Sequence, residues 1–154
     1  MAKSSTGIKV ITVNRKASFN YFLSEFTECG ISLLGTEIKS LRQNSCHLND
    51  AYVVIKGGEA QIINMNIPHY KEANIFNHDP MRTRTLLLHK REIRQFAQKM
   101  KLGGYTLVPT KVYFKNGKAK VEIALAKGKK LYDKREDMKK RDDQRLIEKA
   151  LKNR

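Results

Sequence analysis

Apolar and polar positions alternate most cleanly near the end of the chain's apolar part. Val121, Ile123 and Leu125 fall on one side and Lys120, Glu122 and Ala124 on the other, the period of a half-buried strand. The segment Val112–Val121 folds back at Asn116-Gly117, a dipeptide that accepts positive φ at both turn positions, so the pattern predicts a hairpin. A second hairpin is predicted within Ala51–Ile67, where Gly57-Gly58 separates Val53-Val54-Ile55 from Ile62-Ile63. The stretch from Tyr21 to Leu34 reads as one long strand that bends or bulges at Gly30.

Helical spacing is rarer. Ile93, Phe96, Ala97 and Met100 recur at i, i+3, i+4 and i+7, which predicts a helix over His89–Lys101 with one apolar face. His89 stands at its N-cap with Glu92 three residues on, and Gly103-Gly104 ends it. A shorter helix is predicted from about Thr36 to Arg42, with Glu37, Lys39, Ser40 and Arg42 at the surface. Five or six short strands and few helices predict a mainly β fold with flanking helices, a small OB-like antiparallel β-barrel. At 154 residues the chain suffices for one such domain and hardly for two.

The pattern changes after Gly128. Between Lys129 and Arg145 the sizeable apolar residues are Leu131, Tyr132 and Met138, too few to hold a segment on a core. Glu136 with Lys140, Asp137 with Arg141 and Glu148 with Lys152 are helix-favouring i,i+4 pairs, each adding only about 0.2–0.5 kcal/mol. The expected organisation is a barrel over residues 1–128 and a basic tail over 129–154, disordered alone and helical against a partner.

Charge decides the class of partner. The chain has 31 Lys+Arg against 15 Asp+Glu, a formal net charge of +16. Residues 127–154 hold 12 Lys/Arg and 6 Asp/Glu, which leaves 19 and 9 for residues 1–126, so the barrel itself must present a basic surface. Such self-repulsion is relieved by a polyanion through counterion release. A membrane is the less suitable polyanion: there is no long apolar run, lipidation motif or widely apolar amphipathic helix. Met1–Ser5 lack the apolar core of a signal peptide, and Cys29 and Cys46 read as reduced, small apolar residues, so a cytoplasmic protein is expected.

Catalytic signatures are missing. His47, His69, His78 and His89 do not fall at metal-ligand spacings with the cysteines or carboxylates, and there is no P-loop, dinucleotide fingerprint or nucleophile elbow. His47 with Asp50 reads as a polar turn before the strand at Ala51 rather than an acid–base pair. No enzyme activity, metal, cofactor or small-molecule substrate is expected.

Three sets of residues suit RNA. The first runs from Pro80-Met81-Arg82-Thr83-Arg84 through Leu86-Leu87-Leu88 to His89-Lys90-Arg91. The second, Asn14-Arg15-Lys16-Ala17-Ser18-Phe19, sets an aromatic ring beside two cations, as base stacking with phosphate contact requires. The third is Lys127-Gly128-Lys129-Lys130-Leu131-Tyr132-Asp133-Lys134-Arg135. Lys39 and Arg42 on the short helix join Arg82, Arg84 and Lys90 as candidate phosphate contacts.

The same motifs, in order, carry a resemblance over nearly the whole chain. They are Asn14-Arg15-Lys16-Ala17 with Tyr21; Gly35-Thr36-Glu37-Ile38-Lys39-Ser40-Leu41-Arg42; Asp50-Ala51-Tyr52; and Asp79-Pro80 with Arg82 and Arg84. Leu86-Leu87-Leu88, Glu92-Ile93, Gly104-Tyr105-Thr106-Leu107-Val108-Pro109, the lysines of the Asn116-Gly117 hairpin, Lys127-Gly128-Lys129-Lys130 and Asp133-Lys134-Arg135 follow. In these the chain resembles the small protein B family, the SsrA-binding proteins that partner transfer-messenger RNA in bacterial ribosome rescue. The resemblance implies an OB-like barrel that binds the transfer-RNA-like domain of that RNA in place of an anticodon arm. It implies also a tail that orders in the small-subunit decoding site and empty mRNA channel of a stalled ribosome.

Residue roles follow by position. Glu28 matches an acidic residue at the family's RNA face, where a carboxylate among cations accepts hydrogen bonds from base edges. Leu87 and His89 fall at positions that contact the same RNA, the latter more often a polar residue such as asparagine. Phe19 takes the place of a base-stacking ring that is often histidine. Tyr132 matches a tail position that meets decoding-centre RNA. The reading opposed to this one is a ribosomal or translation-factor OB protein bound permanently to rRNA.

Overall fold

The Asn116-Gly117 turn, with φ of 51° and 80°, joins two antiparallel eleven-residue strands into the spine of the fold. In the computed structural model, which describes residues 7–43, 46–73, 76–129 and 131–152, these are β6 (Tyr105–Lys115) and β7 (Lys118–Gly128). Before them come β1 (Ile8–Val13), α1 (Arg15–Asn20), β2 (Tyr21–Ile31), α2 (Gly35–Arg42), β3 (Tyr52–Lys56), β4 (Glu59–Ile63), β5 (Arg84–Leu87) and α3 (Lys90–Lys101). α4 (Leu131–Lys152) follows β7. The antiparallel order is β1-β6-β3-β4-β5-β2-β7, and pairing of β7 back onto β6 closes six strands into a ring, with β1 added along β6. The barrel expected from the alternation is therefore present, its ring of six strands extended by β1 to a seven-stranded sheet.

Alternation sets the inside of the ring. Leu107, Val112, Val121, Ile123 and Leu125 point inward with Val53, Ile62 and Leu86, and Leu41, Met65 and Ile67 seal them from the connections. Each fully buried aliphatic side chain stabilises the fold by about 1.5–3 kcal/mol. α3 starts at Lys90 with His89 at its N-cap, as expected, the His89 N–H donating to Glu92 Oε1 at 3.2 Å. It buries Ile93 and Phe96.

Two expectations need correction. The bulge in β2 lies between Ser24 and Thr27, where Glu25 has φ of 54°, and not at Gly30. Gly30 serves close approach instead: a Cβ there would stand 3.2 Å from Leu87 Cβ on β5. In α2, Glu37 and Ser40 are buried rather than at the surface. Ser40 Oγ donates to the Pro68 carbonyl at 2.7 Å, and Glu37 accepts from the Leu34 N–H at 2.7 Å as the third residue of the helix.

α1 was not evident in the sequence as a helix. Asn14 starts it, its Oδ1 accepting from the Ala17 N–H at 3.3 Å while its Nδ2 donates to the Pro109 carbonyl at 2.9 Å. That carbonyl borders a bulge between Pro109 and Lys111, where a strand accepts proline because the ladder is already interrupted. One buried side chain thus joins helix initiation to the barrel, with Ala17 set down on Val108 and Ala126. α4 begins beside α1, where the Lys129 N–H donates to the Asn20 carbonyl at 2.9 Å. It is helical throughout, whereas disorder is expected of this segment alone, and its Met138, Leu146 and Ile147 remain exposed. Among the described residues no helix is long and apolar enough to cross a membrane, and no cluster of metal-ligating side chains occurs.

Candidate nucleic-acid interface

The register of β2 on β7 sets Glu28 opposite Glu122 and Gly30 opposite Lys120, on the outer face of the ring. β6 adds Tyr113 opposite Lys120 on the same face. Tyr113 reaches across β7 and donates its hydroxyl to Glu28 Oε2 at 2.5 Å; Lys115 Nζ stands 3.5 Å from the same oxygen. The Tyr113 hydrogen bond, helped by the charges of Lys115 and Lys120, holds the Glu28 carboxyl below its ordinary range. Burial, with the Glu28 carboxylate beside it, pushes the Tyr113 phenol up, so it stays a donor at neutral pH. Glu28 is therefore an ionised carboxylate with one lone pair oriented and its side chain 37% exposed, able only to accept.

Glu28 opens into a groove with Leu87, His89, Lys90 and Lys120 along its walls. Leu87 is 59% exposed beside the backbone of Gly30, an apolar surface on which a ring can lie. The groove continues past Gly30, Leu87 and Lys120 into a second one lined by Arg42, Phe114 and Lys118. Lys39, three residues before Arg42 on α2 and so on a similar side, is exposed with its ammonium 5.7 Å from the Tyr70 ring. The fold thus brings Glu28, Arg42, Leu87, His89 and Lys90 together. Sequence reasoning missed Tyr113, Lys115 and Lys120 as their companions. Their signal was there: the alternation around Asn116-Gly117 puts all three on one face, but nothing local says that β2 lies beside it.

Arg84 is a correction. Its side chain is 0% exposed, with Nε donating to Glu37 Oε2 at 2.5 Å and Nη1 to the Met65 carbonyl at 2.6 Å. Nη2 donates to the Pro80 carbonyl at 3.2 Å. It ties α2 to the connection before β5 and has no face for a phosphate. Arg82 is 34% exposed and donates to Glu37 Oε1 at 2.7 Å. Burial pushes the Glu37 carboxyl up, but hydrogen bonds from Arg82, the Leu34 N–H and Arg84 outweigh it and hold the group low. Beside this cluster the buried His78 donates from Nε2 to the Ile67 carbonyl at 2.8 Å, since a carbonyl can only accept, and its Nδ1 shares a hydrogen bond with the Thr36 hydroxyl at 2.9 Å.

Arg15, Lys16 and Phe19 sit apart, on α1. Along β7, the strand position under α1 (Ala126) lies four residues from that of Glu122, roughly 13 Å at strand rise. Arg15 and Lys16 are exposed, Phe19 is half-buried, and Lys16 lines a separate cleft with Asn20, Asp50 and Tyr52. Lys127 and Gly128 close β7 with exposed side positions, and Lys129 Nζ donates to the Ser18 carbonyl at 3.1 Å. Lys130 lies outside the described residues. Tyr132, Asp133 and Lys134 form the first turn of α4, their side chains also outside the description, while Arg135 is exposed. Cys29 and Cys46 are free and buried, and burial pushes both thiols up to about 12, as inert apolar residues.

The sequence profile of the SmpB protein family matches residues 11–153. The chain belongs to the SmpB protein family. It is 51% identical to the SsrA-binding protein of Trichodesmium erythraeum, over 97% of both chains. It is 55% identical to the SsrA-binding protein of a Sulfurihydrogenibium species, over 94% of this chain and 95% of the relative. A solved structure described as "tmRNA-SmpB: a journey to the center of the bacterial ribosome" superposes with a TM-score of 0.66 at 42% identity, covering 78% of this chain and 85% of that one. Membership in the SmpB family and the barrel architecture agree with the reading from the sequence motifs.

Proposed function

We propose that this protein binds the transfer-RNA-like domain of transfer-messenger RNA and delivers it to stalled ribosomes, acting without catalysis in the cytoplasm. The observation that carries the reading is the anchored Glu28 carboxylate, set in a cationic groove with Leu87, His89 and Lys90 on a chain of the SmpB family. In a surface built to attract phosphate, an ionised carboxylate opposes non-specific affinity; its use is to accept from base N–H groups, with Lys90, Lys120, Lys39 and Arg42 holding the backbone. Arg82 adds a further cation, and Arg15, Lys16 and Phe19, apart on α1, form a separate contact in which the exposed part of Phe19 offers a stacking ring.

Residues 1–128 form the RNA-binding part in this reading, and 129–154 the part directed at the decoding site and mRNA channel. Lys127, Gly128, Lys129, Lys130, Tyr132, Asp133, Lys134 and Arg135 make that contact. Support comes from α4, a long polar helix whose described apolar residues Met138, Leu146 and Ile147 are exposed rather than packed on the barrel. The test is to sequence the RNA copurifying with the protein from a lysate of its host. One aminoacylatable RNA at a stoichiometric amount is expected. Constant ribosomal stoichiometry without that RNA would overturn the reading.

A further inference from the structure

We propose that the rim of the barrel at Phe22, Lys127 and Tyr105 is a second nucleic-acid site, a platform on which unpaired RNA bases stack. The inference rests on the RNA-binding reading above, which already gives Lys127 and Lys129 a contact, and adds the rings of Phe22 and Tyr105 beside them as the groups that take bases. Cross-strand pairing places Phe22 opposite Lys127 and Lys127 opposite Tyr105, so the three side chains share one face in a row across β2, β7 and β6. The next inward residues of β7 and β6 on that face, Leu125 and Leu107, belong to the core, yet Phe22 stays 51% exposed and Tyr105 38% exposed. The row lies five residues along β7 from Glu122, roughly 17 Å, and on the opposite face of the strand.

Cations occupy the two rings. Lys129 Nζ lies 5.1 Å from the Phe22 centroid, and Lys127 Nζ lies 5.9 Å from that of Tyr105. No acidic residue occurs between Ile123 and Tyr132, and Glu25, three residues beyond Phe22, is engaged by Lys99. Such a surface suits a polyanion with aromatic faces of its own. Arriving phosphates draw the lysines off the rings, and bases take their places, because base–aromatic stacking exceeds an exposed cation–π contact. Phe22 and Tyr105 stand two strand spacings apart, roughly 10 Å, so adjacent nucleotides can each cover a ring with their linking phosphate above Lys127.

The chain has no tryptophan, so Phe22→Trp puts a lone reporter on the platform while keeping a ring there. The variant is titrated with single-stranded oligoadenylate and with an abasic oligomer of equal length and charge. Indole emission quenched by the first and much less by the second is expected; equal responses, or none, would overturn the proposal. In parallel, Phe22→Leu combined with Tyr105→Leu keeps the apolar area and removes both rings. This pair should weaken oligoadenylate binding about a hundredfold, roughly tenfold for each stack lost. It should weaken equally either transfer-messenger RNA or isolated small ribosomal subunits, and the arm that weakens names the source of the bases. No loss in any arm refutes the platform. Glu28→Ala separates the two readings: it should leave the oligoadenylate response of Phe22→Trp intact. A wild-type protein without preference for transfer-messenger RNA would sink the function proposed above, whatever the indole reports.

Discussion

Tyr113 on β6 and Glu28 on β2 are joined over the intervening strand β7 by a 2.5 Å hydrogen bond. Two strand spacings, roughly 10 Å, are spanned because tyrosine is long and carries its donor at the tip. The bond keeps Glu28 ionised and points it outward. Tyr113→Phe should raise the Glu28 carboxyl toward the ordinary 4.5 and weaken cognate RNA binding about tenfold, in line with the ~1.5–3 kcal/mol of a hydrogen bond to a charged group. Carboxyl NMR titration checks the first effect; an unmoved Glu28 would refute the link.

Glu28→Ala removes the proposed base-edge acceptor and a negative charge together. Cognate transfer-messenger RNA binding should fall, while binding of a scrambled RNA stays level or rises. Titration of both RNAs across salt decides the matter, and equal losses would remove the specificity role.

Arg84 and the surface cations should separate cleanly. Arg84→Met leaves Glu37 buried without its closest partner and should cost about 3–5 kcal/mol of stability. Lys90→Gln, Lys120→Gln or Arg42→Gln should change stability by less than about 0.5 kcal/mol. Each should instead reduce the salt slope of RNA binding by about one unit. Urea melts and salt titrations of the same four variants provide the check.

Glu37 ties stability to acid. Its folded pKa lies below the unfolded value near 4.5, so its contribution is present above that value and lost as pH falls through the folded one. Unfolding free energy should therefore decline from about pH 5 downward, and less steeply in Glu37→Gln, which starts from a less stable protein. Parallel curves for the two would contradict the assignment.

Removal of 133–154 should leave barrel stability within about 0.5 kcal/mol, since the exposed Met138, Leu146 and Ile147 give the core nothing. Transfer-messenger RNA binding should persist with some electrostatic loss, because 9 Lys/Arg and 6 Asp/Glu leave together. Peptide tagging on a truncated mRNA should collapse, and Ala150→Pro, costing about 3 kcal/mol in a helix interior, should reproduce part of that collapse. Normal tagging by the truncated protein would show the tail to be dispensable.

What the chain determined by itself is local or compositional: the Asn116-Gly117 and Gly57-Gly58 hairpins and the apolar face of α3 follow from spacing within a dozen residues, and the basic surface from the charge balance of residues 1–126. The ordered motifs added the family, and with it the positions of Glu28, Leu87 and His89. Only the tertiary structure decided which cations are free to meet a ligand. Arg82 and Arg84 look alike in sequence, yet Arg84 is sealed against Glu37, 47 residues away, because a buried carboxylate must be paired where water cannot reach it. Closure of β2 onto β7 made the same kind of choice, bringing Glu28 within reach of Tyr113, 85 residues on, and leaving Phe22 at the rim. Strand register between distant segments is set by packing of the whole core, which no short stretch of sequence contains.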